Sequence, residues 1–189
     1  MAHYSSKDLA CMGFGAVGEN VLISDRASFY NCEKIFIGNN VRIDDFCVLA
    51  AGVGGISIGS YVHIAVGSTL IGGGKITMSD FSGISSRVSI FSSNDDYSGA
   101  TMTNPMVPSK FTGVVHADVF LGRHAAVGCG TVILPGVTLE DGVSVGALSV
   151  IRRDCEAFGI YLGNPARRVS ERKRDILELE KKFLAELEK

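Results

Sequence analysis

Residues 121–154 read LGRHAAVGCGTVILPGVTLEDGVSVGALSVIRRD, and an aliphatic residue recurs in this stretch at every sixth position. The recurring residues are Leu121, Val127, Ile133, Leu139, Val145 and Ile151. An amphipathic helix would repeat its apolar residues at spacings of three and four, and a half-buried strand at a spacing of two. A spacing of six fits neither pattern. It indicates a chain that runs a short strand, turns, and repeats the same unit.

The same spacing is found upstream of the break in the repeat. The earlier triplets are Ile37, Ile43 and Leu49; Ile58, Ile64 and Leu70; and Met78, Ile84 and Ile90. The residue four places after each aliphatic position is small or β-branched, as at Val41, Cys47 and Val53. Three such units close one triangular coil. The aliphatic residue fills the interior, the small residue fits inside the coil where the bend narrows the space, and glycine or asparagine tolerates the turn.

The pattern therefore predicts an all-β fold, a parallel β-helix of hexapeptide repeats over residues 17–169. Stacked coils of this kind pair as parallel strands and bury a continuous ladder of Ile, Val and Leu. The competing interpretation is a β-sandwich with glycine-rich turns. Five triplets with the same internal spacing of six argue against it, because a sandwich does not require a fixed period of six.

Three segments depart from the repeat. Residues 91–114 are rich in Ser, Asn, Asp and Pro, and we expect them to form a long loop that protrudes from the middle of the solenoid and has a function. Residues 1–16 are predicted to form a short helical cap, with Ser5 in the spacing of a capping box. Residues 170–189 are predicted to form an amphipathic helix with Ser170 as its N-cap. We expect both helices to cover the open ends of the solenoid.

Composition excludes several classes of function. The 189-residue chain has a formal net charge of −2, which disfavours nucleic acid as a partner because phosphate binding needs a basic surface. No apolar run is long enough to span a membrane. The five cysteines are an odd number without CxxC spacing. This pattern argues for reduced thiols in a cytoplasm and against a disulfide framework or a zinc site.

The run at residues 121–154, followed by GNPARRV at residues 163–169, resembles the hexapeptide-repeat acyltransferases, in particular the galactoside, maltose and surface-polysaccharide acetyltransferase group. Three further segments are similar to acyltransferases that modify a nucleotide-linked 4-amino-4,6-dideoxy sugar. They are IGSYVHIA at residues 58–65, DFSGISSRVSI at residues 80–90 and DDYSGATMTNP at residues 95–105.

This resemblance implies a left-handed β-helix that assembles as a homotrimer, with active sites between neighbouring subunits. It implies acetyl-coenzyme A as the acyl donor, a nucleotide-linked sugar as the acceptor, and a place in surface-polysaccharide or O-antigen synthesis. Cys129 and Ala147 would then meet the pantetheine arm through their backbone. Arg152, Arg153 and Arg167 would lie near the adenosine and its phosphates, since guanidinium groups suit phosphate. The competing interpretation is that these arginines are solvated charges on the rim of a coil.

One position departs from the O-acetyltransferases of this group. Where those enzymes carry a basic histidine before the loop, this chain has Asp95, followed by Asp96. A hydroxyl acceptor needs a base such as histidine, whose ordinary pKa is about 6.5, whereas that of aspartate is about 3.9. A neutral amine is already a nucleophile, and a carboxylate can hold its ammonium form. We therefore predict an amino group as the acceptor, with both aspartates managing the proton. The alternative is that they serve only a turn.

Histidines and loop residues supply the remaining candidates. His63 is predicted to face outward from a strand, and it is the second candidate for the base. Tyr97 and Asn104 are predicted to help hold the sugar. His116 lies at the end of the loop, and His124 occupies a turn position. The γ-type carbonic anhydrases share this solenoid and bind zinc through three histidines, but the spacings here do not match, so no metal is expected.

Two other functions stay open at this level. A sugar O-acetyltransferase would use His63 as its base. A non-catalytic solenoid would serve as a scaffold or binding surface, although a scaffold has no need for a coenzyme A groove.

Overall fold

The computed structural model describes residues 2–187. Over these residues the chain forms a solenoid of mainly parallel strands, and successive coils contribute strands to three long sheets. The first sheet contains β1 (Ala16–Val17), β4 (Ile35–Ile37), β7 (Ile56–Ile58), β10 (Ile76–Met78), β15 (Val119–Leu121) and β18 (Thr138–Leu139). The second contains β2 (Leu22–Ile23), β5 (Arg42–Ile43), β8 (His63–Ile64), β11 (Gly83–Ile84), β16 (Ala126–Val127), β19 (Ser144–Val145), β21 (Gly159–Gly163) and β22 (Ala166–Glu171). The third contains β3 (Ser28–Tyr30), β6 (Val48–Ala51), β9 (Thr69–Gly72), β12 (Ser89–Phe91), β17 (Val132–Ile133) and β20 (Val150–Ile151).

The predicted repeat is confirmed position by position. All members of the five triplets are buried, none with more than 3% of its surface exposed. They stack in register: Ile43 pairs with Ile64, which pairs with Ile84, and the ladder continues through Val127. Full burial of one such side chain stabilises the fold by roughly 1.5–3 kcal/mol, so these ladders are the main source of its stability.

One small position was assigned wrongly. Val53 was predicted to lie inside the coil, but its side chain is 89% exposed. The chain bulges outward at this corner, and the buried position is taken by Ile56, which pairs with Ile35 and Ile76 of the adjacent coils. Extra residues at a corner shift the start of the next repeat along the sequence, but the buried side chains still stack in register.

The corner between the first and second sheets uses left-handed backbone. Asn20, Asn40, Tyr61, Phe81 and His124 all have φ between +52° and +59° on successive coils. Asparagine adopts this conformation readily, whereas aromatic residues do so at a cost. The rings of Tyr61 and Phe81 stack with their centroids 4.8 Å apart. The prediction of a turn role for His124 is confirmed.

Helix α1 (Ser6–Cys11) covers the N-terminal end as predicted. The Ser5 hydroxyl accepts from the Asp8 N–H at 3.2 Å, and the Asp8 carboxylate accepts from the Ser5 N–H at 3.0 Å. Leu9 is only 5% exposed and belongs to the same apolar core as the first coils. The helix therefore seals the open end of that core.

Helix α2 (Asp175–Leu187) begins later than expected. Ser170 was predicted to be its N-cap, but it lies in β22, which pairs antiparallel with β21. Strand β21 would otherwise leave an unpaired edge, and hydrogen bonds to that edge outweigh the helical tendency of the segment. Residues 188 and 189 of the predicted helix lie outside the described residues.

The expectation that α2 covers the C-terminal end of the solenoid is also wrong, because the helix lies along the corner between the first and second sheets. The ring of Phe183 packs edge-on against Tyr61, with centroids 5.3 Å apart. The Glu180 carboxylate pairs with both Arg123 and His124. The left-handed corner thus supplies the docking surface for this helix. Neither α1 nor α2 is long and apolar enough to cross a membrane, and they are the only α-helices among residues 2–187.

The interruption of the solenoid is confirmed, with narrower limits. Phe91 still belongs to β12, and the base of the excursion is an antiparallel pair, β13 (Ser93–Asn94) and β14 (Val115–His116). The Ser93 hydroxyl and Nδ1 of His116 lie 2.7 Å apart across this pair. Residues 95–114 between the two strands are called the loop below.

Candidate active site

A groove of about 490 Å³ runs along the outer face of the second sheet. Its outward residues lie in register on neighbouring strands, in the order His63, Gly83, Ala126 and Ser144. Alternate residues of a strand face opposite sides, so the residues that follow them fill the core. Since the outward residues after His63 are small, the face of the sheet stays open to a ligand. We call this feature the sheet groove.

His63 lies at one end of the sheet groove and is held by a hydrogen bond to Asp44. Its Nε2 lies 2.8 Å from Oδ2 of Asp44, whose other oxygen accepts from Nε of Arg42 at 2.7 Å. Burial opposes ionisation of Asp44, but the hydrogen bonds from Arg42 and His63 outweigh it and lower the pKa of that carboxyl. An ionised carboxylate only accepts hydrogen bonds, so Nε2 of His63 carries the proton.

The two aspartates of the loop differ in how they are used. Asp95 is partly buried, and its carboxylate makes no hydrogen bond or ion pair with any of residues 2–187. Asp96 accepts from the Ser98 N–H at 2.8 Å and from both the N–H and the hydroxyl of Thr101. These hydrogen bonds lower the pKa of Asp96. Asp96 thus organises the loop, whereas the Asp95 carboxylate is free to bind a ligand.

The predicted sugar-binding residues of the loop also differ. The Tyr97 side chain is 81% exposed, which leaves its ring free to contact a ligand. Asn104 has a left-handed φ of +94°, and its Oδ1 accepts from the Met106 N–H at 2.9 Å. The oxygen of Asn104 is therefore engaged in a turn of the loop.

Cys129 and Ala147 are brought to the same corner on successive coils. The Cys129 carbonyl accepts from the Leu148 N–H at 2.8 Å. The N–H groups of Cys129 and Ala147 donate to no other group among the described residues. A Cβ on Gly128 would come within 2.5 Å of the Ala147 nitrogen, so glycine permits the coils to stack closely here. The exposed donors suit the amide carbonyls of an extended ligand.

Three arginines predicted to bind phosphate lie around one hollow. Arg152, Arg153 and Arg167 line a space of about 240 Å³ at the C-terminal end of the solenoid, together with Arg168. Arg168 is neutralised by two glutamates, one of them Glu156 at 2.5 Å. Arg152 and Arg153 form no ion pair with any residue of the range 2–187. Their charges are therefore available for an anion. We call this feature the arginine hollow.

The sheet groove and the loop do not meet within one chain. No residue of the loop lines the sheet groove, and no hydrogen bond joins Asp95 to His63 in the part of the chain that the structure describes. His116 is used at the base of the loop and His124 at the helix-docking corner. Over residues 2–187 no cluster of three His, Cys, Asp or Glu side chains could hold a metal ion.

Two residues of the site were not predicted from the sequence. Asp44 holds His63, and the exposed hydroxyl of Ser85 lines the sheet groove without a hydrogen-bond partner among residues 2–187. A signal for Asp44 exists in the repeat. The position after the inward aliphatic residue of the second sheet is small on the neighbouring coils, as at Ser24 and Ala65, and only Asp44 is charged.

Comparison with known proteins identifies close relatives, although no protein-family model matches the chain. The dTDP-4-amino-4,6-dideoxy-D-glucose acyltransferase of Escherichia coli is 57% identical over 183 residues, which are 97% of this chain and 95% of that protein. AntD, an N-acyltransferase from Bacillus cereus solved in complex with dTDP and 3-hydroxybutyryl-CoA, superposes with a TM-score of 0.95. It is 44% identical, and the alignment covers 99% of this chain and 98% of that one.

A variant of the same Bacillus cereus enzyme, in which a serine is replaced by cysteine, was solved with dTDP-4-amino-4,6-dideoxyglucose and coenzyme A. It is 43% identical to this chain, with a TM-score of 0.94 over 97% of both chains. The chain therefore belongs to the family of acyl-coenzyme A-dependent N-acyltransferases that act on nucleotide-linked amino sugars. This membership confirms the predicted acyltransferase activity, with the amino group of a nucleotide-linked sugar as the acceptor.

Proposed function

We propose that this chain, as a member of that family, transfers an acetyl group from acetyl-coenzyme A to the 4-amino group of dTDP-4-amino-4,6-dideoxyglucose. The observation that carries the proposal is the 57% identity, over 97% of the chain, to an enzyme named for this sugar. The amine attacks the thioester carbonyl, a C–N bond forms, the C–S bond breaks, and coenzyme A is released as the free thiol, with one proton given up overall. Binding both reactants side by side supplies much of the rate enhancement.

Asp95 receives the acceptor amine in this proposal. A sugar amine arrives largely as the ammonium ion and must lose a proton before its lone pair can attack. The free, partly buried carboxylate of Asp95 can bind that ammonium and take its proton. Asp96 supports this role by keeping the loop in shape, and Tyr97 offers its exposed ring to the sugar. Asn104 supports the loop turn and is the less favoured sugar contact.

Coenzyme A is held, we propose, along the C-terminal coils. The unused N–H groups of Cys129 and Ala147 would donate to the pantetheine amides. Arg152, Arg153 and Arg167 would bind the phosphates at the arginine hollow, since charge-assisted hydrogen bonds to phosphate are stronger than neutral ones. The exposed, unpaired state of Arg152 and Arg153 supports this placement more than it supports a role in the fold.

The enzyme acts as a homotrimer in this proposal. The carboxylate of Asp95 and the sheet groove belong to one reaction, yet no loop residue lines the groove of its own chain. A neighbouring subunit would bring its loop to that groove and complete the site. Phe36 and Phe120, on the outer face of the first sheet, are 47% and 38% exposed and would favour such association. We further propose that the enzyme works in the cytoplasm, on a sugar destined for a surface polysaccharide or O-antigen.

The test is release of free thiol from acyl-coenzyme A, with mass spectrometry of the products. The panel pairs nucleotide-linked 4-amino-4,6-dideoxy hexoses with their 4-hydroxy counterparts, and acetyl-coenzyme A with 3-hydroxybutyryl-coenzyme A. We expect the amino sugar to react far faster and acetyl to be the preferred group. A better hydroxy acceptor would support O-acetyl transfer. No thiol release together with no rise in melting temperature on adding coenzyme A would support a scaffold.

A further inference from the structure

Asp44 occupies a place that the solenoid fills with small residues. On successive coils the residue that follows the inward aliphatic of the second sheet is Ser24, Asp44, Ala65, Ser85 and Gly128. Asp44 is only 6% exposed, comparable to Ser24 and Ala65 at 0% and 8%. A buried carboxylate is costly unless it is paired. The other coils have a small residue at this position, so the fold itself does not require a carboxylate here. The charge of Asp44 therefore has a role other than stabilising the coil.

The partners of Asp44 lie on the outer face of the sheet. Arg42 and His63 pair in register on β5 and β8, and each side chain is 51% exposed. Asp44 reaches both from below, so that one of its oxygens is used by each partner. A carboxylate that accepts from an imidazole N–H fixes both the orientation of the ring and its tautomer.

The charged side chains that face His63 lie on one side of it. Arg42 and Asp44 face it from the preceding coil, and the neighbouring positions of the following coil are Gly83, Ser85 and Ser86. Among the described residues that line the sheet groove, His63 alone is ionisable. With Nε2 held by Asp44, Nδ1 is left without a hydrogen bond within residues 2–187.

We propose that Asp44 is a positioning residue that holds His63 in the Nε2–H tautomer, so that Nδ1 acts on the substrates bound in the sheet groove. This inference rests on the proposed function. An ammonium that becomes an amide nitrogen loses two protons, and Asp95 accounts for the first. Nδ1 accepts the second once the C–N bond has formed, and the imidazolium gives it to the sulfur of coenzyme A as the C–S bond breaks. The reaction thus yields amide, free thiol and one proton.

The test compares Asp44→Asn, His63→Asn, their double variant and Asp45→Asn. Asp45 is the matched control, because it is adjacent in sequence but pairs with Ser24 and Arg26 and not with His63. We expect Asp44→Asn to lower kcat about 10- to 100-fold with KM for both substrates within about twofold, because only proton transfer is impaired. The double variant should be no slower than His63→Asn alone, since residues that act as a unit are not additive.

Nitrogen-15 NMR of the histidine rings gives a readout that does not depend on turnover. Wild-type protein should show His63 with its proton on Nε2, and Asp44→Asn should show a mixture of tautomers, whereas Asp45→Asn should match the wild type. Unchanged kcat and tautomer in Asp44→Asn would overturn the inference. A double variant whose loss of kcat equals the combined losses of the two single variants would overturn it as well. A lower melting temperature with unchanged kcat would reduce Asp44 to a structural role. If the wild type acylates no amino sugar, the proposed function has failed, and that outcome is visible without any variant.

Discussion

The coils and the loop are held in their conformations by different interactions. The coils repeat one unit, and their stability comes from side chains such as Ile64, Ile84 and Val127 that stack in register inside the solenoid. The loop has no buried large side chain among residues 95–114, and polar contacts such as those of Asp96 hold it together. In the proposed reaction, the coils hold the acyl donor and His63, and the loop brings the free carboxylate of Asp95.

The largest effect is expected from a charge placed inside the coils. Ile64→Asp or Val127→Asp would bury a carboxylate without a partner in the aliphatic ladder. The cost is several kcal/mol against a total stability of about 5–15 kcal/mol, so we expect no folded protein. Circular dichroism and solubility check this. Thr69→Asp is a control, because Thr69 lies on a sheet but is only half-buried. A soluble, cooperatively melting Ile64→Asp protein would mean that the ladder is not essential.

Deleting the loop should abolish activity but leave the fold intact. Deletion of residues 96–108 removes polar surface and the Asp96 contacts but no part of the ladders. We expect a folded protein whose melting temperature stays within a few degrees of the wild type and whose acyl transfer is lost. Sedimentation, thermal melting and thiol release test the three parts separately. An unfolded product would show that the loop also contributes to the stability of the coils.

The fold could be predicted from the sequence because one spacing is repeated many times. Each triplet tests the same hypothesis, so a local error such as Val53 changed nothing else. The site was harder to predict. That Asp96 is engaged and Asp95 is free depends on hydrogen bonds within an irregular loop, which no period encodes. The later start of α2 likewise depends on the edge of β21, a tertiary demand that outweighs the helical pattern.

The carboxylate of Asp95 is the loop group on which the proposed proton transfer depends. Asp95→Asn keeps the shape of the side chain but removes the charge that would bind the ammonium and take its proton. We expect kcat to fall by about 100-fold and the pH–rate profile to shift upward, with the melting temperature unchanged. The control is Asp96→Asn, which should lower both activity and loop order. If His63→Asn abolishes turnover while Asp95→Asn stays near the wild type, the role proposed for Asp95 is wrong.

The arginine hollow should show a smaller, donor-specific effect. Arg152→Ala or Arg167→Ala removes a proposed phosphate contact, which would be remote from the reacting carbonyl and equally strong in the ground and transition states. We expect KM for acetyl-coenzyme A to rise, which corresponds to a loss of about 1.5–3 kcal/mol in the binding free energy of the donor, and kcat to change little. Arg168→Ala is the matched control, since glutamates already neutralise that arginine. Unchanged constants in both test variants would place the coenzyme elsewhere.

The smallest effect concerns the helix docked on the coils. Hydrogen bonds from Arg123 and His124 lower the pKa of Glu180 to about 2, from an ordinary value of 4.5, even though partial burial opposes ionisation. Because the pKa is lower in the folded state, this stabilisation is fully present above about pH 4.5 and is lost as the pH falls towards 2. Glu180→Gln should therefore cost about 1–2 kcal/mol at neutral pH and little at pH 2. Glu178→Gln is the control, because Glu178 forms only an exposed pair with Lys181. Urea unfolding of both variants at the two pH values measures the difference. An equal cost at both values would mean that Glu180 contributes through packing and not through its charge.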